Sequence, residues 1–84
     1  MRYLIVIEKA ARNYSAHVPD VPGCVATGKT VAETVRAMRQ SLQFHLEGLA
    51  EDAAPIPDPI RISQYVDAAI PTATTARRQT KKAS

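Results

Sequence analysis

The sequence predicts an α+β domain: a small antiparallel sheet of three to four strands with one long amphipathic helix packed across it, in the order β-β-β-α-β. Three observations carry this. Two short segments with strand character lie before Pro19 with a polar stretch between them, a turn rich in proline and glycine leads into a third, and from Thr30 onward apolar residues recur at spacings of three and four.

Met1 to Glu8, MRYLIVIE, is rich in β-branched residues and bounded by the polar stretch Lys9 to Asn13, so a first strand buried on both faces, or nearly so, is expected there. Tyr14, Ala16 and Val18 alternate with Ser15 and His17, the period of a half-buried strand. The short separation makes the two a hairpin. Pro19 and Pro22 end the second strand, because neither has an N–H to give to a ladder. Val21-Pro22-Gly23-Cys24 suits a type II turn, with Pro second and Gly third, where positive φ is required. Cys24 to Thr27 is then a third strand.

Thr30 opens the helix. Its hydroxyl is placed to cap the backbone N–H of Glu33 while that carboxylate reaches back, the T-x-x-E capping box. Val31, Val35, Met38, Leu42, Leu46 and Leu49 form one apolar stripe, and Glu33, Arg36, Gln40, Gln43 and Glu47 lie off it. The segment Ala53 to Pro59, AAPIPDP, stops the helix. Ile60 to Ile70 offers a weak fourth strand around Tyr65 and Val66, and from Pro71 to Ser84 no apolar period survives, so a disordered basic tail is expected. The domain therefore spans residues 1–70 and the tail 71–84.

With 84 residues and 9.1 kDa the chain is one small domain, a size at which a second copy or a partner often completes the core. A homo-oligomer, dimer or tetramer, is expected. A single cysteine, Cys24, excludes a disulfide framework within the chain. The longest apolar run near the N-terminus, Tyr3 to Ile7, is too short for a signal peptide, and no run approaches the ~20 residues that cross a bilayer, so no membrane role and a cytoplasmic location are expected. The net charge of +3 is a property of the tail: Arg77, Arg78, Lys81 and Lys82 lie there without an acid, and the first 70 residues hold seven basic against eight acidic groups.

Residues 23 to 30, GCVATGKT, match the phosphate-binding pattern G-x-x-x-x-G-K-[ST]. Such a loop needs a buried strand entering the first Gly and a nest of free amides, within a fold of several parallel strands. Here prolines precede it and Cys24 to Thr27 has strand composition, so Gly28 and Thr30 are better explained as a helix entry. No cofactor is expected.

Across the wider window, Tyr14-Ser15-Ala16-His17-Val18-Pro19-Asp20-Val21-Pro22-Gly23-Cys24, then Gly28-Lys29-Thr30 with Glu33 three residues on, HLEGL at 45 to 49 and PIPDP at 55 to 59, the sequence resembles the HicB family of bacterial antitoxins. The resemblance covers roughly residues 2 to 62. It implies a degenerate, partial ribonuclease-H-like fold, and a protein that binds a small basic mRNA-cleaving toxin of HicA type and masks its active site. Pro19, Asp20, Pro22, Gly23, Cys24, Gly28, Thr30 and Glu33 are then structural motif residues, and the toxin-binding residues are not identified. Two departures stand out. The 22 residues after Ile62 are too few for the DNA-binding domain usual in the family, which puts specific DNA binding in doubt, and Lys29 stands where an acidic residue is common.

Catalysis is not expected. Two-metal nuclease chemistry needs converging carboxylates, one of them on the first strand. Residues 2 to 7 contain no acid, Glu8 ends that strand, Asp20 lies in the turn and Glu33 is engaged at the cap. His17 and His45 lack the spacing of a metal site and take surface or structural roles, His17 facing solvent and His45 bordering the stripe. Cys24 is expected as a small buried hydrophobe, and Met38 and Phe44 as packing residues. Asp20, Glu47, Glu51, Asp52 and Asp58 supply charge complementary to a basic partner. Three rivals remain: nucleic-acid binding through Arg77, Arg78, Lys81 and Lys82, an enzyme derived from the same fold whose metal-dependent RNA cleavage would be lost on Glu8→Gln or Asp20→Asn, and an orphan domain of that fold with no toxin to bind.

Overall fold

The computed structural model describes residues 1–71. Three strands, β1 (Val6–Lys9), β2 (Tyr14–His17) and β3 (Val25–Gly28), precede one helix, α1 (Val31–Glu51). The strands form an antiparallel sheet in the order β1-β2-β3. This is the α+β arrangement the periodicities predict. The expectation for Arg77, Arg78, Lys81 and Lys82 lies outside the described residues.

The register places Ile7, Ala16 and Ala26 in one cross-strand row and Val6, His17 and Val25 in the next. Side chains alternate across a strand. One face, with Tyr3, Ile5, Ile7, Ala16 and Ala26, therefore packs against α1, and the other, with Val6, His17 and Val25, is left uncovered. First-strand burial on both faces is thus corrected: Tyr3 to Ile7 are half-buried, and only Val6–Lys9 are in the ladder, because the described residues provide one helix and so one cover.

The 21-residue helix is about 31 Å long, enough to cross the sheet. Its stripe meets Ala16, Val18, Val21 and Cys24 through Met38, the one large helix side chain that is fully buried. Val35, Leu42, Leu46 and Leu49 are half-buried, and Val31 is exposed at the first position of the helix. The packing role expected of Phe44 is also corrected, since that ring is 79% exposed. Six positions past Met38 is about 240° around the helix, which carries Phe44 to the outer side. Thr34, absent from the expected stripe, is fully buried; its hydroxyl donates to the Thr30 carbonyl at 2.7 Å.

Both helix ends are closed by local geometry. At the start, the Glu33 N–H donates to Thr30 Oγ1 at 3.0 Å, and Glu33 Oε1 accepts from the Lys29 N–H at 3.0 Å, one residue ahead of the cap. At the end, the Ala54 N–H donates to the Leu49 carbonyl at 2.9 Å and the Ala53 N–H to the Ala50 carbonyl at 3.1 Å, a Schellman closure. Ala53 turns the chain with φ 53°.

The weak fourth strand does not form. Residues 55–71 carry no regular element, and Tyr65 and Val66 are almost wholly exposed. They pair with no strand of the described residues, and the post-helix chain is held instead at Pro57, Ile60 and Arg61.

Candidate functional site

The VPDVPGC segment folds into a closed loop at the end of the sheet. The Val18 N–H donates to the Cys24 carbonyl at 3.3 Å, extending the β2-β3 pairing by one step. The Val21 N–H donates to the Val18 carbonyl at 3.0 Å and the Cys24 N–H to the Val21 carbonyl at 3.3 Å, and the second bond closes the turn read from the sequence. Gly23 has the φ of 85° that a type II turn requires. Val18, Val21 and Cys24 point into the core, so the loop is a piece of the core with prolines on its outside.

Asp20 is buried within this loop, its side chain 2% exposed. One carboxylate oxygen accepts from the Ile60 N–H at 3.0 Å and the Arg61 N–H at 3.1 Å, and the other accepts from the Arg61 guanidinium. That guanidinium also reaches the Pro19 carbonyl at 3.4 Å. Burial raises the pKa of Asp20, but the hydrogen bonds from the Arg61 and Ile60 backbone and the Arg61 charge outweigh it, so the carboxyl titrates below its ordinary value. A second tether lies nearby, where the Tyr3 hydroxyl donates to the Pro57 carbonyl at 2.5 Å. Asp20 is therefore internal, and its place among the acids facing a partner is withdrawn.

Gly28 closes β3 against the helix entry. A Cβ there would stand 2.7 Å from both the backbone nitrogen and Oγ1 of Thr34, so only glycine lets the strand pass the first helical turn this closely. Val25–Gly28 is an antiparallel strand, not a loop of converging amides, so GCVATGKT lacks the geometry of a phosphate cradle. Among the described residues no three His, Cys, Asp or Glu side chains converge on a metal position. Cys24 is buried, with Sγ 3.8 Å from Ser41 Oγ, and His17 is exposed on the uncovered sheet face.

The motif residues thus form a scaffold: Pro19, Asp20, Pro22, Gly23 and Cys24 build the loop, and Gly28, Thr30 and Glu33 build the helix entry. Ile60, Arg61 and the Tyr3–Pro57 tether complete the loop's surroundings and were not foreseen. No local signal marks Arg61, which lies 41 positions from Asp20. Among the surfaces the described residues offer for binding are the uncovered sheet face, a groove of about 330 Å³ between the segment before β1 and α1, and an acidic helix end. At that end Glu47, Glu51 and Asp52 are exposed, the last turn has no basic residue, and Asp58 is exposed just beyond.

Residues 3–74 match the family described as HicB-like antitoxin of bacterial toxin-antitoxin systems. An uncharacterised 14.9 kDa protein from Haemophilus phage HP1 is 40% identical over 67 residues, 80% of this chain and 50% of that protein. A UPF0150 protein from Helicobacter pylori is 38% identical over 47 residues, 56% of this chain and 65% of that one. A UPF0150 protein from Thermoplasma acidophilum is 31% identical over 58 residues, 68% of this chain and 84% of that protein. The chain thus spans half the length of the phage relative. Among solved structures, a chain of a HicA3 and HicB3 toxin-antitoxin complex superposes with a TM-score of 0.62 and 28% identity, over 71% of this chain and 70% of that one.

Proposed function

The chain belongs to the HicB-like antitoxins of bacterial toxin-antitoxin systems, and from that premise we propose that it neutralises a small basic mRNA-cleaving toxin of HicA type by masking the toxin's active site. The observation that carries this reading is the fold shared with a chain of the HicA3 and HicB3 complex. Inhibition by contact needs a shaped, charged surface and no catalytic group of the antitoxin's own. Residues 1–70 are the binding domain, and 71–84 an appended basic tail. The protein acts in the cytoplasm, where its toxin would meet mRNA.

The acidic helix end supports the choice of a basic partner. Glu47, Glu51 and Asp52 add to the negative end of the helix dipole, equivalent to roughly half an elementary charge, and no basic side chain in the last turn offsets it. Such a patch accelerates encounter with a cationic surface more than it tightens the complex.

The test is recovery followed by titration. The tagged full-length chain, expressed in its native host, is expected to bring down a basic protein of HicA type in comparable amount, and adding the chain back is expected to stop that protein's RNA cleavage stoichiometrically. Recovery of nucleic acid alone, of nothing, or of a basic partner whose cleavage continues undiminished refutes the reading.

A further inference from the structure

Residues 55–61, PIPDPIR, follow α1 without forming a regular element, and their composition explains why. Pro55, Pro57 and Pro59 have no N–H, so every second backbone donor of the run is missing and no ladder can form; their fixed φ also stiffens it into an extended strap. Among the described residues no backbone-to-backbone hydrogen bond reaches past Ala54. The strap is held instead by side chains of the body, at two places. The Tyr3 hydroxyl donates to the Pro57 carbonyl, and the Asp20 carboxylate accepts from the Ile60 and Arg61 amides and from the Arg61 guanidinium.

The body closes itself without the strap. The Ala53 and Ala54 N–H groups end the helix on the Ala50 and Leu49 carbonyls ahead of the first of these prolines, and the loop around Asp20 is joined by its own bonds between Val18, Val21 and Cys24. Ile56, Pro57 and Pro59 are half-buried while Pro55, Asp58, Ile60 and Arg61 are exposed, so the strap buries little apolar surface. Such a segment opens at a lower free energy than the global fold. Its opening also reaches the groove. Tyr3 lies on the groove wall and ahead of the ladder, which begins at Val6, and its hydroxyl ties that wall to the strap. Past the tie, Arg61, Ile62 and Ser63 line one hollow together with Arg2 to Ile5, the rest of the segment before β1.

We propose that residues 55–61 are a latched strap with Asp20 as the latch: when the latch opens, the strap leaves as one stiff unit while sheet and helix stay folded, and Tyr3 is released from its tether on the groove wall. The domain then has two states of one groove, with Tyr3 pinned while the strap is down and free once it lifts. Asp20 is a positioning residue for a wall it does not line. A carboxylate is the group this latch needs, because one oxygen meets two amides and the other a guanidinium, so donors stand on both sides. The inference stands apart from the toxin reading, since it assigns the groove no partner.

Amide hydrogen exchange of the full-length chain, followed residue by residue by NMR in the wild type, Asp20→Asn and Tyr3→Phe, tests it. Asparagine keeps the shape but turns an NH2 toward one set of donors, so the Ile60 and Arg61 amides are expected to exchange about tenfold faster or more. The Ala16 amide in the ladder and the Met38 amide in the helix are expected to keep their rates. In Tyr3→Phe the Ile60 and Arg61 amides are also expected to quicken, although Tyr3 bonds neither, because the stiff link from Pro57 to Ile60 makes the two fastenings one. Should Asp20→Asn unfold the domain, Arg61→Gln opens the latch from the solvent side, where that side chain is 52% exposed, and is read in the same way. Strap amides that keep the wild-type rate in a folded latch variant, a Tyr3→Phe chain in which Ile60 and Arg61 are unaffected, or Ala16 and Met38 amides that speed up in step with the strap would each overturn the proposal.

Discussion

Among the described residues two hold the backbone in the left-handed region, and they make a reciprocal pair of experiments. Gly23 has φ 85° in the turn before β3, and Ala53 has φ 53° where the helix closes. At Ala53 the methyl crowds the following carbonyl at a cost of ~1–2 kcal/mol, and glycine would relieve it. Glycine also gives the unfolded chain more freedom, which takes back ~0.5–1 kcal/mol, so Ala53→Gly should stabilise by about 0.5–1 kcal/mol. At Gly23 the sign reverses. A Cβ there meets nothing within 4 Å, so Gly23→Ala isolates the backbone cost and should destabilise by a similar amount. For a domain of this size 1 kcal/mol moves Tm by about 4–8 °C, so the two variants should bracket the wild type by roughly 2–8 °C on each side. The assay is thermal unfolding followed by far-UV circular dichroism, with all variants at one protein concentration so that their Tm values compare directly. The two turns share no hydrogen bond, so the double variant should melt near the wild type. A lower Tm for Ala53→Gly, or an unchanged one for Gly23→Ala, would refute the assignment of strain to these backbones.

Three further outcomes are expected. The lowered pKa of Asp20 means that its contribution to stability is present above the unfolded value of ~3.9 and is lost as pH falls through the lower folded value; urea midpoints against pH should show that acid limb, and Asp20→Asn should flatten it, an equal slope in both proteins counting against the clamp. Gly28→Ala forces a methyl to 2.7 Å from Thr34 and should cost about 1–3 kcal/mol in denaturant unfolding, whereas a neutral result would mean that strand and helix are not locked there. Glu51→Lys with Asp52→Lys should slow association with a basic HicA-type toxin at low salt and barely alter it at high salt; a loss of rate independent of salt would place the contact elsewhere.

What the sequence disclosed was local. The Pro22-Gly23 turn, the Thr30 and Glu33 cap and the Met38 stripe each depend on residues within a few positions of one another, and each stands where the pattern put it. The errors were of another kind. A run of apolar residues such as Tyr3 to Ile7 states that burial is favourable without stating how many covers exist, and one helix covers one face. Phe44 is apolar by type, but its angle from Met38 turns it to solvent. Asp20 in a proline turn carries no sign of partners 40 and 41 positions away, so an exposed charge and an internal clamp have the same sequence. That clamp connects the parts of the molecule. The segment from Val18 to Cys24 presents its apolar residues to the core and its carboxylate to the Ile60 and Arg61 amides, which fixes where Ile62 leaves the sheet. A substitution at Asp20 should therefore release the chain that follows the helix as well as loosen the loop itself, although the two segments lie 40 positions apart.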